Sequence, residues 1–176
     1  MKTYLPSLNF DGKAGKIQVI HLLVHSSGFP TLNVAEVLIM KMIGKDSSYI
    51  SINSFDEFID TLNLAIKEKV ASPGKRYFYW NEGYMILGKI IEKISGLKYE
   101  DYIKENILLP LKMKKSAFYA KSAVEDGDFA VPYYFDDKGE RKPVPIPDNP
   151  LNYAAGGLIT STVELARYLK FWLGLD

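Results

Sequence analysis

The chain has 176 residues, 47% of them apolar and 24% charged, which are values of a globular domain and not of a disordered or fibrous chain. Its 22 lysine and arginine residues nearly balance 21 aspartate and glutamate residues, and the net charge of +1 gives no strong field for a polyanion, so we expect no nucleic-acid partner. Cysteine is absent, which excludes disulfides, thiolate metal sites and a cysteine nucleophile.

The first part of the chain predicts short elements. Residues 1–15 are typical of coil, and residues 17–24 predict a short helix. Asn33 and Glu36 have the spacing of a capping box for a helix over 34–43. This stretch is the most apolar of the chain, yet charged residues interrupt it. No apolar run reaches the ~20 residues that span a bilayer, so we expect no membrane span.

Two longer helices have clearer signals. Ser54 and Glu57 form a capping box, after which apolar residues recur at helical spacing. Asn81 opens the next helix, and Gly96 suits its left-handed C-terminal cap. The apolar residues that share one face of the first helix are Phe55, Phe58, Ile59, Leu62 and Ile66, and the apolar positions of the second helix are Tyr84, Leu87, Ile90, Ile91 and Ile94.

The second half of the chain predicts a third helix over 99–107, a hairpin of strands 131–135 and 141–146, and a last helix that begins at Ser161. Prolines in the hairpin predict short or edge strands. Ser161 and Glu164 have the spacing of a capping box. The residues of this helix that we predict to face inward are Leu165, Tyr168, Leu169 and Trp172. The sequence therefore predicts a mainly α fold of about five or six helices with one small β hairpin.

His21 and His25 are the only histidines, and their spacing of four on a predicted helix would let both face one metal ion. A zinc site needs a third ligand, and Leu22 stands where a metalloprotease helix carries glutamate. We therefore interpret the two histidines as bracing the helix, and expect no metal and no cofactor. A metal-dependent hydrolase remains an alternative.

Two Ser-x-x-Lys strings occur, at residues 72–75 and 95–98. In that pattern one helical turn brings the lysine amine beside the serine hydroxyl, where it can take the proton. Neither string fits, because the first contains Pro73-Gly74 and the second contains the helix-ending Gly96. We predict that neither serine is a nucleophile.

The triplet Tyr79-Trp80-Asn81 lies between a Pro-Gly turn and a helix start, where side chains can project into a cleft. If the backbone is extended, the tyrosine hydroxyl and the carboxamide can converge on one small site. An ordinary half-buried aromatic followed by a helix N-cap explains the same triplet, and both readings stay open on these residues alone.

Longer segments resemble the serine β-lactamase-related family, which includes class C β-lactamases, penicillin-binding DD-peptidases and esterases. Residues 21–30, HLLVHSSGFP, are similar to its HLLTHTSGLP segment, and residues 73–88, PGKRYFYWNEGYMILG, to its PGxxFxYSNxGYxLLG stretch. Residues 155–161 resemble its AGGLxST segment, and residues 4–6 match its YLP. The resemblance is collinear along the whole chain.

The resemblance also implies what this sequence lacks. The family carries a Ser-x-x-Lys motif upstream of YLP and a Lys- or His-Thr-Gly strand downstream of the last helix, and only its middle Tyr-x-Asn motif occurs here. We therefore expect residues 1–176 to be a single partial domain, the helical region of the α/β β-lactamase/transpeptidase-like fold. The nucleophile helix and the C-terminal sheet strands would be absent, and the chain alone would be inactive.

By the same resemblance, Tyr79 acts with the motif lysine as general base on the serine and later protonates the leaving group. Asn81 binds the amide carbonyl of the substrate and helps to place the lysine. Trp80 replaces a smaller residue of the family, and we expect it to narrow the cleft. The implied substrate is a small molecule or peptide-like compound, namely a β-lactam, a D-amino-acid peptide or an ester.

A second hypothesis belongs to another class. The chain would be a non-catalytic module that keeps the cleft and binds a ligand or a partner. Without the sheet, an apolar face would be exposed, which predicts self-association or contact with the missing segments.

Overall fold

A computed structural model describes residues 1, 3–10, 14–30, 52, 54–64, 69–125, 127–144 and 148–175. The protein is mainly helical with one two-stranded antiparallel sheet in these ranges, which confirms the predicted fold class. It divides into two compact units, one of Met1–Tyr99 with Leu151–Ala155, and one of Glu100–Pro150 with Gly156–Asp176. No helix within the described ranges is long and apolar enough to cross a membrane.

Among the described residues of Met1–Tyr99, the first unit has a short 3-10 turn, Ala14–Lys16, and the helices α1 (Val19–Leu23), α2 (Phe55–Leu64) and α3 (Asn81–Ser95). Helix α1 packs against α3. The helix predicted over 34–43, with its Asn33 cap, lies outside the described residues.

The predicted caps of α2 and α3 are confirmed. The amide of Glu57 donates to Oγ of Ser54 at 3.2 Å, and Oε2 of Glu57 accepts from the amide of Ser54 at 3.1 Å. These two bonds satisfy backbone donors that the first turn of a helix cannot pair internally. Helix α3 ends at Gly96, whose φ of 74° is left-handed as predicted.

The N-terminal coil contributes to the core of the first unit, which its sequence did not indicate. Oδ1 of Asn63 in α2 accepts from the amide of Asn9 at 2.8 Å, and Nδ2 of Asn63 donates to the carbonyl of Ser7 at 3.0 Å. These bonds fix the coil along α2. The core that results consists of Leu5, Leu8, Phe10, Ile17, Leu22, Phe29, Ile52, Phe58, Ile59, Leu62, Trp80, Met85, Ile86 and Ile90.

The apolar face predicted for α2 is confirmed in its described part. Phe58, Ile59 and Leu62 are buried, Phe55 packs against the core, and Ile66 lies outside the described residues.

Helix α3 buries only part of its apolar positions. Ile90 is buried and Leu87 packs against the core, whereas Ile94 is 66% exposed. The first turn of α3 also buries Glu82, an acidic residue, and Gly83, which has no side chain. Apolar periodicity cannot detect these two positions.

The other elements are α4 (Tyr99–Ile103) with a π-helical turn (Lys104–Leu108), α5 (Ala120–Glu125), β1 (Tyr133–Phe135), β2 (Arg141–Pro143), a 3-10 turn (Pro150–Asn152), α6 (Tyr153–Gly156) and α7 (Thr162–Leu173). The predicted hairpin is confirmed, with Phe135 opposite Arg141 and Tyr133 opposite Pro143, while residues 145 and 146 of the predicted second strand lie outside the described residues. Its strands are short, as the prolines predicted.

The last helix, α7, is buried on a different side from the predicted one. Leu165, Leu169 and Trp172 are exposed and Tyr168 is half-buried, whereas Glu164 is buried. The prediction of an inward apolar face is therefore wrong for the described residues. Periodicity identifies a face that can be buried, but it contains no information on whether a partner surface covers it.

Glu164 joins α7 to the loop before α5. Ser161 caps the helix by accepting from the amide of Glu164 at 3.3 Å, so half of the predicted box is present. The Glu164 carboxylate accepts instead from Oγ of Ser116 at 2.6 Å and from the amide of Lys115 at 3.1 Å. The guanidinium of Arg167 donates to the carbonyl of Lys112 in the same loop.

Candidate functional site

The Tyr-x-Asn triplet lies where an extended segment enters α3. Trp80 precedes the helix with φ −143° and ψ 100°, and Asn81 is the first helical residue. Successive side chains of an extended backbone point to opposite sides. Tyr79 is accordingly 48% exposed, whereas Trp80 is 1% exposed.

Trp80 is an anchor in the core. Its indole stacks on Phe29, with ring centroids 4.6 Å apart and 17° between the planes. The expectation that Trp80 narrows the cleft is therefore wrong, because its side chain points away from the side that presents Tyr79. A large aromatic residue at this position therefore serves packing in the core.

The turn at His25 and Ser26 holds the extended segment. The carbonyl of His25 accepts from the amide of Phe78 at 2.8 Å, and the carbonyl of Ser26 accepts from the amide of Gly74 at 2.8 Å. The third hydrogen bond involves a side chain: Nδ1 of His25 accepts from the amide of Trp80 at 3.0 Å. The segment that carries Tyr79 is thus fixed by three hydrogen bonds from one turn.

The imidazole of His25 lies among three tyrosine rings. Its centroid is 4.5 Å from that of Tyr79, 5.1 Å from that of Tyr84 and 5.7 Å from that of Tyr77. Burial lowers the pKa of His25 below its ordinary 6.5. The hydroxyl of Tyr84 in α3 donates to the carbonyl of Leu23 at 2.9 Å, which ties α3 to α1 beside this cluster.

The two histidines have separate structural roles. Nδ1 of His21 accepts from the amide of Gln18 at 3.0 Å, which braces the start of α1 as predicted. His25 instead bonds to the amide of Trp80, a link between residues 55 apart that the sequence analysis missed. A four-residue spacing predicts a shared helix face, and no sequence signal indicates this long-range bond. The described part of the chain has no group of three histidine, aspartate or glutamate residues arranged to hold a metal ion.

Tyr79 and Asn81 keep their polar ends available. Among the described residues, neither the Tyr79 hydroxyl nor the Asn81 carboxamide has a hydrogen-bond partner. A phenol can donate or accept, and a carboxamide offers two donors and one acceptor. Each of the two side chains can therefore form hydrogen bonds with another molecule.

Both Ser-x-x-Lys strings lie in turns, as predicted. The amide of Lys75 donates to the carbonyl of Ser72 at 3.2 Å, which closes the Pro-Gly turn. Ser95 is the last residue of α3, and its hydroxyl donates to the carbonyl of Ile91 at 2.8 Å. Neither serine is on a helix that continues to its lysine.

The Beta-lactamase family model matches residues 1–176. The chain belongs to the beta-lactamase family. This confirms the resemblance.

Two curated proteins are similar along most of this chain. A penicillin-binding protein from Bacillus subtilis is 29% identical over 155 residues, which are 85% of this chain and 31% of that protein. Protein flp from Staphylococcus aureus is 26% identical over 168 residues, 94% of this chain and 31% of that protein. The chain thus spans about a third of the length of these relatives.

Solved structures of the family share the fold. The octameric penicillin-binding protein homologue from Pyrococcus abyssi has a TM-score of 0.79 and 38% identity, with 99% of this chain and 41% of that chain covered. A class C beta-lactamase has a TM-score of 0.69 at 21% identity, covering 99% of this chain and 42% of that chain. This second likeness concerns the fold alone.

Proposed function

We propose that this chain is the helical middle part of a serine hydrolase of the β-lactamase/penicillin-binding-protein type, which cleaves an amide or ester through an acyl-serine. Membership of the beta-lactamase family supports the reaction class. The observation that carries the proposal is the position of Tyr79 and Asn81. They flank a buried Trp80, and neither polar group is used within the described chain.

In this proposal Tyr79 is the proton carrier. With the lysine of a Ser-x-x-Lys motif, its oxygen takes the proton of the serine hydroxyl as the serine attacks the carbonyl carbon. The same hydroxyl then returns a proton to the leaving group. A free phenol has a pKa of about 10, so a tyrosine base that works near neutral pH needs a cation beside it. The motif lysine is the group that would supply this charge.

Asn81 binds the substrate. Its carboxamide nitrogen donates to the amide carbonyl next to the bond that is cleaved, and its oxygen accepts from the motif lysine. These contacts would orient a small molecule or peptide-like substrate over the serine. The substrate classes that present such a carbonyl are β-lactams and D-amino-acid peptides, and simple esters fit the same acyl transfer.

The nucleophile belongs to sequence outside the given residues. We propose that a Ser-x-x-Lys helix and a Lys- or His-Thr-Gly strand of the whole protein complete the site around Tyr79. The chain alone has neither a fitting serine nor a complete oxyanion hole, so it should form no acyl-enzyme. Residues 1–176 would then be a single partial domain of the whole enzyme.

Intact mass spectrometry tests this proposal. The chain and the whole protein are each incubated with a β-lactam or a fluorophosphonate and then denatured. We expect the chain to keep its mass of 19.9 kDa, and the whole protein to gain one adduct on the serine of its Ser-x-x-Lys motif. An adduct on the 19.9 kDa chain would contradict the position of the nucleophile.

A non-catalytic ligand- or partner-binding module is the second candidate. The exposed side chains of Leu165, Leu169 and Trp172 on α7 favour it, because an exposed apolar face can bind a partner or a second copy. A whole protein that gains no adduct, together with a chain that dimerises through α7 in sedimentation, would favour this candidate over the hydrolase.

A further inference from the structure

We propose that His25 is a positioning residue for Tyr79 and Asn81, and that it holds them in place only while its Nδ1 carries no proton. The inference rests on the proposed function, since it concerns the same two residues. It adds a group outside the Tyr-x-Asn motif and a dependence on pH.

The first observation is the bond between His25 and Trp80. The amide that donates to Nδ1 at 3.0 Å belongs to the peptide that joins Tyr79 to Trp80. A displacement of this peptide would move Tyr79 on one side. It would also alter the approach to Asn81, the first residue of α3, on the other. The bond therefore acts on the backbone between the two site residues.

The second observation is the backbone of His25. Its φ of 53° is left-handed, a conformation that only a few per cent of non-glycine residues adopt, with histidine, asparagine and aspartate the most frequent among them. The carbonyl of the same residue accepts from the amide of Phe78, so His25 holds the segment at two points. Such strain persists only where the surroundings over-determine it, and it is frequent at functional sites. Here the strained turn directs the ring to the amide of Trp80.

The third observation is the ring contact with Tyr79. The two ring centroids are 4.5 Å apart at an interplanar angle of 37°. The imidazole therefore supports the phenol directly, in addition to holding its backbone. Tyr77 and Tyr84 contact the other sides of the imidazole, which limits where the ring can move.

The protonation state follows from the acceptor role. Nδ1 can accept only if its lone pair is free, which requires the neutral ring with its proton on Nε2. The groups that face this ring are the phenols of Tyr77, Tyr79 and Tyr84. No charged side chain of the described residues contributes to its pKa, which burial lowers below 6.5. The bond is therefore intact at neutral pH and is lost as the pH falls through this lowered pKa, because N–H would then face N–H.

Nuclear magnetic resonance of the full chain, with histidine, tryptophan and tyrosine labelled, tests the coupling without any substrate. We expect the ring nitrogens of His25, the amide of Trp80 and the ring signals of Tyr79 to titrate with one common midpoint below 6.5. Below the midpoint, the protection factor of the Trp80 amide, taken relative to the intrinsic exchange rate at the same pH, should fall roughly five- to tenfold, as the loss of one hydrogen bond predicts. If the signals of Trp80 and Tyr79 do not change while His25 titrates, the inference is overturned.

Two variants separate positioning from simple packing. His25→Asn keeps an acceptor near the Nδ1 position, tolerates a positive φ and does not titrate, so Trp80 protection should persist and be independent of pH. His25→Leu has a similar size and no acceptor, so the protection should be lost at every pH. His21→Asn, which changes the other histidine, should leave the titration of His25 and Trp80 unchanged. If His25→Leu does not fold, the titration of the wild type and the behaviour of His25→Asn still test whether His25 holds the Tyr79–Trp80 peptide.

The whole protein gives the functional readout. We expect acylation to decline on the acid side with the midpoint of His25, and His25→Asn to remove this decline while keeping most of the neutral rate. If the acylation rate of His25→Asn declines at acid pH as it does in wild type, the positioning role of His25 is overturned. If instead the amide and ring signals titrate together and no acyl-enzyme forms at any pH, the proposed function fails and the coupling of His25 to Tyr79 stands.

Discussion

The indole of Trp80 lies flat on the ring of Phe29, 4.6 Å between centroids, and this stack connects the two segments that build the candidate site. Phe29 follows the His25 turn, and Trp80 stands between Tyr79 and Asn81. The same contact therefore closes the core of the first unit and fixes the backbone that presents the site.

Trp80→Ala should lower the free energy of unfolding by about 3–5 kcal/mol, because it removes a fully buried aromatic side chain and leaves a cavity against Phe29. The matched control is Trp172→Ala in α7, where the indole is 67% exposed and the change should stay within about 0.5 kcal/mol. Urea denaturation of both variants measures the difference. Similar losses in the two would contradict the anchoring role of Trp80.

Gly28→Ala should destabilise the chain far more than Gly96→Ala. Gly28 has φ 93°, and a Cβ there would lie 2.1 Å from the carbonyl oxygen of Ala71. Gly96 has φ 74° and open space around it, so its substitution carries only the strain of a left-handed alanine, about 1 kcal/mol. Thermal unfolding compares the two variants. Equal shifts in Tm would show that the contact with Ala71 is unimportant.

Glu164→Gln should make the free energy of unfolding depend less on pH at acid pH. Burial by itself would raise the pKa of Glu164, but the bonds from Ser116 and Lys115 and the charge of Arg167 outweigh it and lower the pKa below 4.5. Between the two pKa values the folded state therefore binds fewer protons than the unfolded chain. The stabilisation that ionised Glu164 contributes is complete above pH 4.5 and is lost as the pH falls through the lowered pKa.

Denaturation measured from neutral to acid pH gives the test. At pH 7 the loss for Glu164→Gln should be about 1–3 kcal/mol, the usual range for a buried charged hydrogen-bonding group. Glu125→Gln changes an exposed glutamate that pairs with Lys121 across 3.7 Å, and it should leave the profile unchanged. If the free energy of unfolding falls equally steeply at acid pH in Glu164→Gln and in wild type, Glu164 is not the group responsible.

Tyr119 should be late to ionise in an alkaline titration. Tyr119 is 38% exposed, and the partial burial of its ring together with the hydrogen bond to Oε1 of Glu100, 2.8 Å long, raises the pKa of Tyr119 from 10.0 to about 12. Its contribution to stability is complete below pH 10.0 and is lost as the pH rises through about 12. Tyrosinate absorbance of Tyr119→Phe should lack this late step, whereas Tyr134→Phe, at an exposed position, should retain it. A late step that persists in Tyr119→Phe would contradict the prediction.

Local signals in the sequence predicted most of the elements, and they failed where distant residues decide. The box of Ser54 and Glu57 and the left-handed Gly96 depend on neighbours within one turn, and both are confirmed. Trp80 was expected to narrow the cleft because it replaces a smaller residue of the family, yet its indole packs in the core on Phe29, which is distant in the sequence. The bond from Trp80 to His25 has no local signature for the same reason.

The most direct test of the central claim compares Tyr79→Phe with Tyr77→Phe in the whole protein. Both tyrosines are exposed and both contact His25, so the pair controls for the loss of one hydroxyl from the same aromatic cluster. The measurement is the rate of acylation by a β-lactam or activated ester, followed by intact mass. If Tyr79 carries the proton, its variant should lose a factor of about 10²–10⁴ and the Tyr77 variant should stay within about twofold of wild type. Equal rates for Tyr79→Phe and wild type would contradict the account.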